Sequence, residues 1–103
     1  LGDVYKRQEL VRESEIDFEE LHEAIRKTVS DSGPCTIAQV LQAHPPTQGL
    51  ASVVGLVHIA DQHPLPAVRE SYEKVTWTEE DGTIRAAQIP TMYFDHTTIE
   101  ELQ

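Results

Sequence analysis

Positive charge is scarce in this sequence. Its 103 residues include 8 Lys plus Arg against 18 Asp plus Glu, which gives a formal net charge of −10 at pH 7. A chain of this charge is repelled by nucleic acid and by anionic lipid, although net charge does not determine the fold. The composition therefore disfavours direct binding to DNA or to a charged membrane surface.

Cysteine and long apolar runs are scarce as well. Cys35 is the only cysteine, so the chain cannot form an internal disulfide. No charged segment followed by an apolar one resembles a secretory signal, and both observations predict a cytoplasmic protein. The apolar run from Val53 to Val57 is interrupted by Gly55 and falls far short of the ~20 residues that cross a bilayer, so no membrane partner is expected.

The length permits one small domain with one modest core. Residues 1–8, LGDVYKRQ, resemble translated sequencing-adapter read-through and are predicted to be non-native. In that case, the native N-terminal part of the protein would be missing. We expect residues 9–15 to form a lead-in, 16–94 to form the domain and 95–103 to form an acidic C-terminal tail.

Two capping boxes each predict the start of a helix. In a capping box a short polar side chain accepts a hydrogen bond from the backbone of the first turn, and a Glu or Gln side chain three residues later accepts one from the backbone N–H of that polar residue. The boxes are Asp17 with Glu20 and Thr36 with Gln39. The first predicts a helix from Phe18 to the Gly33-Pro34 stop, and the second predicts a short helix that ends at Pro45-Pro46. Cys35 to Ile37 could supply either a short strand or this second cap.

A third helix is predicted within Thr47 to His63, TQGLASVVGLVHIADQH, with Thr47 as its cap. It contains no Lys or Arg. One apolar stripe is formed by Leu50, Val53, Val54, Val57 and Ala60. Leu56 and Ile59 widen the apolar surface beyond one face, so the helix is either central to the core or half covered by a partner.

After the third predicted helix, apolar and polar residues alternate along the chain, which is the pattern of a β-strand. Val75 and Trp77 are predicted to face the core, and the opposite face is predicted to carry Tyr72, Lys74, Thr76 and Thr78. The turn signal at 79–82 predicts a hairpin in which Ile84 and Ala86 meet Trp77 and Val75 across the ladder.

The segment after the hairpin is short. Pro90 is expected to break the ladder, Met92 to Phe94 to form a final strand, and Thr97 or Thr98 to cap a terminal turn. The predicted fold is α+β and winged-helix-like, with three helices followed by a β-hairpin wing and a short C-terminal strand.

Residues that could carry chemistry do not form a recognisable motif. A zinc site around His58, Asp61 and His63, with Cys35 or His44, lacks the tight Cys or His pairs of structural sites. We therefore expect no metal and no cofactor.

Catalysis is not indicated either. Cys35 is more typical of an inert buried thiol than of a nucleophile, and Ser52 lies in no nucleophile-elbow motif. The carboxylates fall on an exposed helix face and at the hairpin tip, where no desolvated acid stands beside an ionised one. We therefore expect a non-enzymatic protein.

The order of helices and hairpin raises the alternative of a DNA-binding winged helix of a transcriptional regulator. Such domains place Lys or Arg on the third helix and the wing tip, because phosphate contacts supply most non-specific affinity. Here the third helix has no cation and the tip is acidic. Arg69, Lys74 and Arg85 could touch a phosphate but are expected to balance Glu70 and Glu73.

The order of several short pieces carries a family resemblance. Residues 36–41 lead to His44-Pro45, then Gln48-Gly49-Leu50, then the Trp77 hairpin closing at Ile89-Pro90. Over Ile16 to Phe94 the chain resembles the C-terminal region of the kleisin-like subunit of bacterial condensin-type systems. That subunit is called JetA in Wadjet plasmid defence and MksF in the MksBEF complex, and it is catalogued as a domain of unknown function.

The resemblance implies an architectural role. In such complexes the kleisin-like chain bridges two SMC-type ATPase subunits and holds KITE-type subunits, while its C-terminal winged helix docks on one ATPase head. DNA is handled by the whole complex, in plasmid defence or in chromosome organisation. The predicted exposed apolar contacts are Leu50, Val54 and Val57 on the third helix and Met92, Tyr93 and Phe94 on the last strand.

Overall fold

Four helices and two antiparallel two-stranded sheets make up residues 15–45, 49–62 and 71–102, the part of the chain that the computed structural model describes. The helices are α1 (Phe18–Ser32), α2 (Ile37–Ala43), α3 (Leu50–Gln62) and α4 (His96–Leu102). The strands are β1 (Cys35–Thr36), β2 (Tyr72–Thr78), β3 (Ile84–Pro90) and β4 (Tyr93–Phe94). This mixture confirms the predicted α+β class, and the elements follow the predicted winged-helix-like order.

Helix α1 begins and ends where its sequence signals lie. The Asp17 carboxylate accepts a hydrogen bond from the Glu20 N–H at 3.1 Å, which satisfies one of the free donors of the first turn. At the other end Gly33 adopts a φ of 76° and donates its N–H to the Val29 carbonyl at 2.8 Å. The face that carries Leu21 is buried in the core.

Thr36 serves both as a strand residue and as a helix cap. Its hydroxyl accepts from the Gln39 N–H at 3.3 Å, while the Gln39 side-chain oxygen accepts from the Thr36 N–H at 2.7 Å. The second capping box is therefore complete. In β1 the same residue pairs with Tyr93, and Cys35 pairs with Phe94, so the final strand lies beside the start of α2.

Helix α3 lies at the centre of the core. Leu56 is fully buried, as are most of its neighbours along the helix. Gly55 faces α1 at close range, because a methyl group added there would collide with Leu21 and with Ile16. Glycine thus permits a close crossing of the two helices. The predicted cap, Thr47, lies outside the described residues.

The hairpin has the predicted buried face on β2 but a different register. Trp77 pairs with Arg85, and Val75 pairs with Ala87. The prediction that Ile84 and Ala86 meet these two core residues is therefore wrong, and both lie on the exposed face.

The turn explains the error. Glu79 donates its N–H to the Thr83 carbonyl at 2.8 Å, so only residues 80–82 form the loop. Gly82 within it has a φ of 88°, as in three-residue loops that close with a left-handed residue. A loop of four residues, which the sequence suggested, would have placed the other set of side chains on the core face.

Pro90 does not break the ladder. It is the last residue of β3 and lies opposite Tyr72, and the next residue still donates its N–H to the Ser71 carbonyl at 2.9 Å. Hydrogen-bonded and non-hydrogen-bonded pairs alternate in an antiparallel ladder. Pro90 occupies a non-hydrogen-bonded position, where the missing N–H costs nothing.

The predicted acidic tail contains a helix. The Asp95 carboxylate accepts from the N–H groups of Thr97 and Thr98 at 2.9 and 3.2 Å, so Asp95 caps α4 and the predicted caps Thr97 and Thr98 are wrong. Thr98 is buried and its hydroxyl accepts from the Asp95 N–H at 3.3 Å. Helix α4 packs on α1 and places Ile99 against the core. Within the described ranges, no helix has the length and apolar character needed to span a bilayer.

Candidate docking surface

One row of residues on α3 is not fully covered by the domain. It consists of Leu50, Val54, His58 and Gln62, spaced four apart, and we call it the α3 stripe. Leu50 and Val54 are half-buried, and His58 and Gln62 are exposed. Residues at this spacing lie along one side of a helix. The stripe is therefore a continuous surface that is apolar at one end and polar at the other.

Phe18 of α1 extends the stripe sideways. Its ring centroid lies 5.9 Å from that of His58 and 6.2 Å from that of His22. The Gln62 amide nitrogen and His58 Nε2 are 3.0 Å apart; because an amide nitrogen can only donate, Nε2 is the acceptor in this arrangement. Aromatic groups with one apolar surface and one polar edge are common at protein interfaces.

His22 is held in its neutral form. Burial lowers the pKa of the imidazole, and the nearby Arg26 guanidinium lowers the pKa further, while the Glu19 carboxylate acts in the opposite direction. Burial and Arg26 therefore both disfavour a positive charge on the aromatic cluster beside the stripe.

In the part of the chain that is described, the cations lie on elements other than α3. Arg26 and Lys27 belong to α1, and Lys74 and Arg85 belong to the hairpin. The Arg85 Nε atom lies 4.0 Å from the Glu79 carboxylate. Arg69 and Glu70 lie outside the described residues. The third helix thus offers no Lys or Arg side chain to a phosphate.

The six residues predicted as exposed apolar contacts divide into two groups. Val57, Met92 and Phe94 are at most 6 % exposed, because the inner side of α3 and the last strand form part of the domain's own core. These three side chains are not accessible, which corrects their predicted exposure. Leu50, Val54 and Tyr93 are half-buried, and only the first two belong to the α3 stripe.

The candidate nucleophiles lie in the core. Burial raises the pKa of the Cys35 thiol to about 11, so the thiol is protonated at neutral pH. The Ser52 hydroxyl is buried and has no hydrogen-bond partner among the described residues, so none of them acts as a base that activates it. Residues 15–45, 49–62 and 71–102 contain no group of three or more His, Cys, Asp or Glu side chains placed to bind a metal, and His63 lies outside these ranges.

Two parts of this surface were missed in the sequence. His58 follows Val54 by one helical repeat and could have been assigned to the stripe from spacing alone. Phe18 could not, because its position over His58 depends on how α1 crosses α3, which no local pattern reveals.

A sequence model of the protein family described as "Protein of unknown function (DUF3375)" matches residues 2–94. The chain belongs to the DUF3375 family. The DUF3375 match includes every described element from α1 to β4 and also residues 2–8, whose non-native origin stays a prediction. A search of curated proteins found no match.

Proposed function

We propose that this DUF3375 domain is a non-catalytic, winged-helix-like module that docks on the head of an SMC-type ATPase. It would act as the C-terminal part of a kleisin-like subunit in a bacterial condensin-like or plasmid-defence complex. Regions N-terminal to the domain would bind a KITE-type subunit, and DNA would be contacted only by the whole complex. The identity of the partner rests on the sequence resemblance described above.

The observation that carries the docking role is the α3 stripe. Leu50 and Val54 are half-exposed apolar residues on a helix that has no cation. A surface of this kind fits a protein partner, since the centres of protein interfaces are apolar and poor in charged groups. Phe18 beside His58 adds an aromatic residue of the kind that supplies large contact area at interfaces.

The proposal is tested by binding of the fluorescently labelled chain to the head domain of an SMC-type ATPase from a bacterial condensin-like system. We expect saturable binding that Val54→Asp weakens roughly a hundredfold, because the charge would be buried at the centre of the interface. The matched control is Tyr72→Asp, which introduces the same charge at an exposed hairpin residue and should leave binding within about twofold.

A second titration uses labelled DNA duplex at low and high salt. Negligible DNA affinity at both salt concentrations is expected. Steep salt-dependent affinity for duplex with no binding to the ATPase head would overturn the proposal and favour a transcriptional regulator.

A further inference from the structure

A cleft of about 500 Å³ lies between α2 and the hairpin. Ala38, Leu41 and Pro45 line one wall, and because they are spaced three and four residues apart they belong to one side of α2 and its C-terminal extension. Residues 74–78 of β2 line the other wall. The cleft therefore follows one edge of a strand.

The backbone of β2 is unpaired along this cleft. Among the described strands, β2 pairs with β3 alone. The hydrogen-bonded pairs Ser71–Thr91 and Glu79–Thr83 determine which residues between them are hydrogen-bonded across the ladder. Lys74, Thr76 and Thr78 consequently turn their N–H and C=O groups away from β3. No hydrogen bond satisfies these groups within the described residues. An edge of this kind is a template for an added strand.

Side chains shape the cleft for an extended segment. The Glu73 carboxylate accepts from the Ala38 N–H at 3.4 Å and joins the two walls at one end. Leu41 and Trp77, 6 % and 7 % exposed, supply an apolar base. Ile84, which is 73 % exposed, stands at the mouth. An added strand would place alternate side chains on this base.

A cation stands in the cleft although the chain carries a net charge of −10. Among the described residues that line the cleft, Lys74 is the single charged one, and the Glu73 carboxylate lies at the end where the two walls join. Lys74 forms no ion pair with any described residue. The lining thus favours an occupant with a carboxylate near Lys74 over a basic one.

We propose that the α2–β2 cleft binds an extended peptide segment of a partner protein, which adds to β2 as a strand. Apolar side chains of the peptide face Leu41 and Trp77, and an acidic side chain pairs with Lys74. This site is separate from the α3 stripe and does not depend on docking to an ATPase head.

The probe is the synthetic peptide acetyl-TVTVDVT-amide, titrated into the full ¹⁵N-labelled chain to about 1 mM, where weak strand addition is detectable. We expect saturable shifts of the Lys74, Thr76 and Thr78 amides and slowed hydrogen exchange there. Thr76→Pro should weaken binding roughly tenfold, because it removes one edge donor without removing a ladder bond.

The matched control is Ala86→Pro. Ala86 lies opposite Thr76 and points its N–H to the other edge of the hairpin, so this variant should bind like the unaltered chain. If either variant fails to fold, the comparison is made instead with a peptide that is N-methylated at alternate residues. This peptide cannot pair with β2 and should not bind to the unaltered chain. The proposal would be overturned if the peptide showed no saturable binding to the unaltered chain. It would also be overturned if saturable binding were lost in Ala86→Pro but retained in Thr76→Pro.

The charge preference has its own test. Replacing the peptide Asp with Asn should weaken binding roughly threefold to the unaltered chain and leave binding to Lys74→Gln unchanged. An equal preference for Asp in both chains would show that Lys74 does not contact the carboxylate.

Discussion

Helix α3 buries its apolar residues more completely than the β2–β3 hairpin does. α3 has the more apolar sequence, and its Leu56 is fully buried. In the less apolar hairpin, Ile84 is 73 % and Tyr72 is 63 % exposed. The difference comes from their neighbours: α3 packs on α1 and α2, while the hairpin has helix contacts mainly along β2. The number of apolar residues in a segment therefore does not show where apolar surface is exposed. The exposed surface depends on how many faces of the segment are covered by other elements.

The sharpest test of this comparison removes apolar atoms from each region. Leu56→Ala should lower the free energy of unfolding by about 3 kcal/mol, because it leaves a cavity at the centre of the core. Ile84→Ala should lower it by less than about 0.5 kcal/mol. Urea titration followed by circular dichroism measures both. Similar losses in the two variants would show that the hairpin face is covered in solution.

A backbone substitution tests whether the hairpin contributes to global stability. Gly82→Ala should cost roughly 1–2 kcal/mol, since Gly82 has a φ of 88° and nothing within 4 Å would touch the added methyl. Gly82→Asn, a residue that tolerates this conformation, should cost less. The same urea titration applies, and an Ala variant as stable as the unaltered chain would mean that the hairpin unfolds separately.

The two regions meet at Glu79. One carboxylate oxygen accepts a hydrogen bond from the Trp77 Nε1–H at 3.1 Å. The other oxygen occupies the space that a side chain at Gly49 would need, and Gly49 directly precedes α3. Glu79→Ala should cost about 1 kcal/mol by leaving the indole donor unpaired. Glu80→Ala, at the exposed tip, is the control. Equal thermal midpoints for the two variants would show that the Trp77–Glu79 hydrogen bond does not stabilise the domain measurably.

The smallest expected effect concerns pH. Because burial lowers the pKa of His22 from 6.5 in the folded protein, the unfolded chain binds a proton first as the pH falls. The free energy of unfolding should therefore decrease as the pH falls from 6.5 through the lower pKa that His22 has in the folded protein. His22→Gln should reduce this dependence. Denaturant titrations between pH 5 and 7.5 compare the two chains, and parallel curves would be evidence that His22 titrates alike in both states.

Local sequence signals predicted the helices well because capping is a short-range interaction. Asp17 and the Thr36–Gln39 pair fixed the starts of α1 and α2, and Gly33 marked the end of the first. The hairpin was predicted too, but its register was not. One residue of loop length decides which face of β3 is buried, and the acidic tip allowed both lengths.

Features that depend on distant parts of the chain could not be predicted. The pairing of Cys35 with Phe94 and the position of Phe18 over His58 exist only after the elements pack together. For the same reason half of the predicted contact residues proved to be core residues. Helix α4 was predicted only as a terminal turn, because residues 95–103 were interpreted as an acidic tail and Asp95 was not considered as a cap.

The β1–β4 pairing has a topological consequence. Residues 35–36 and 93–94 are hydrogen-bonded neighbours, so the polypeptide between them forms a ring whose ends are held by non-covalent bonds. A protease nick at the exposed Glu80-Asp81 bond would therefore leave two fragments joined through the core and this pairing.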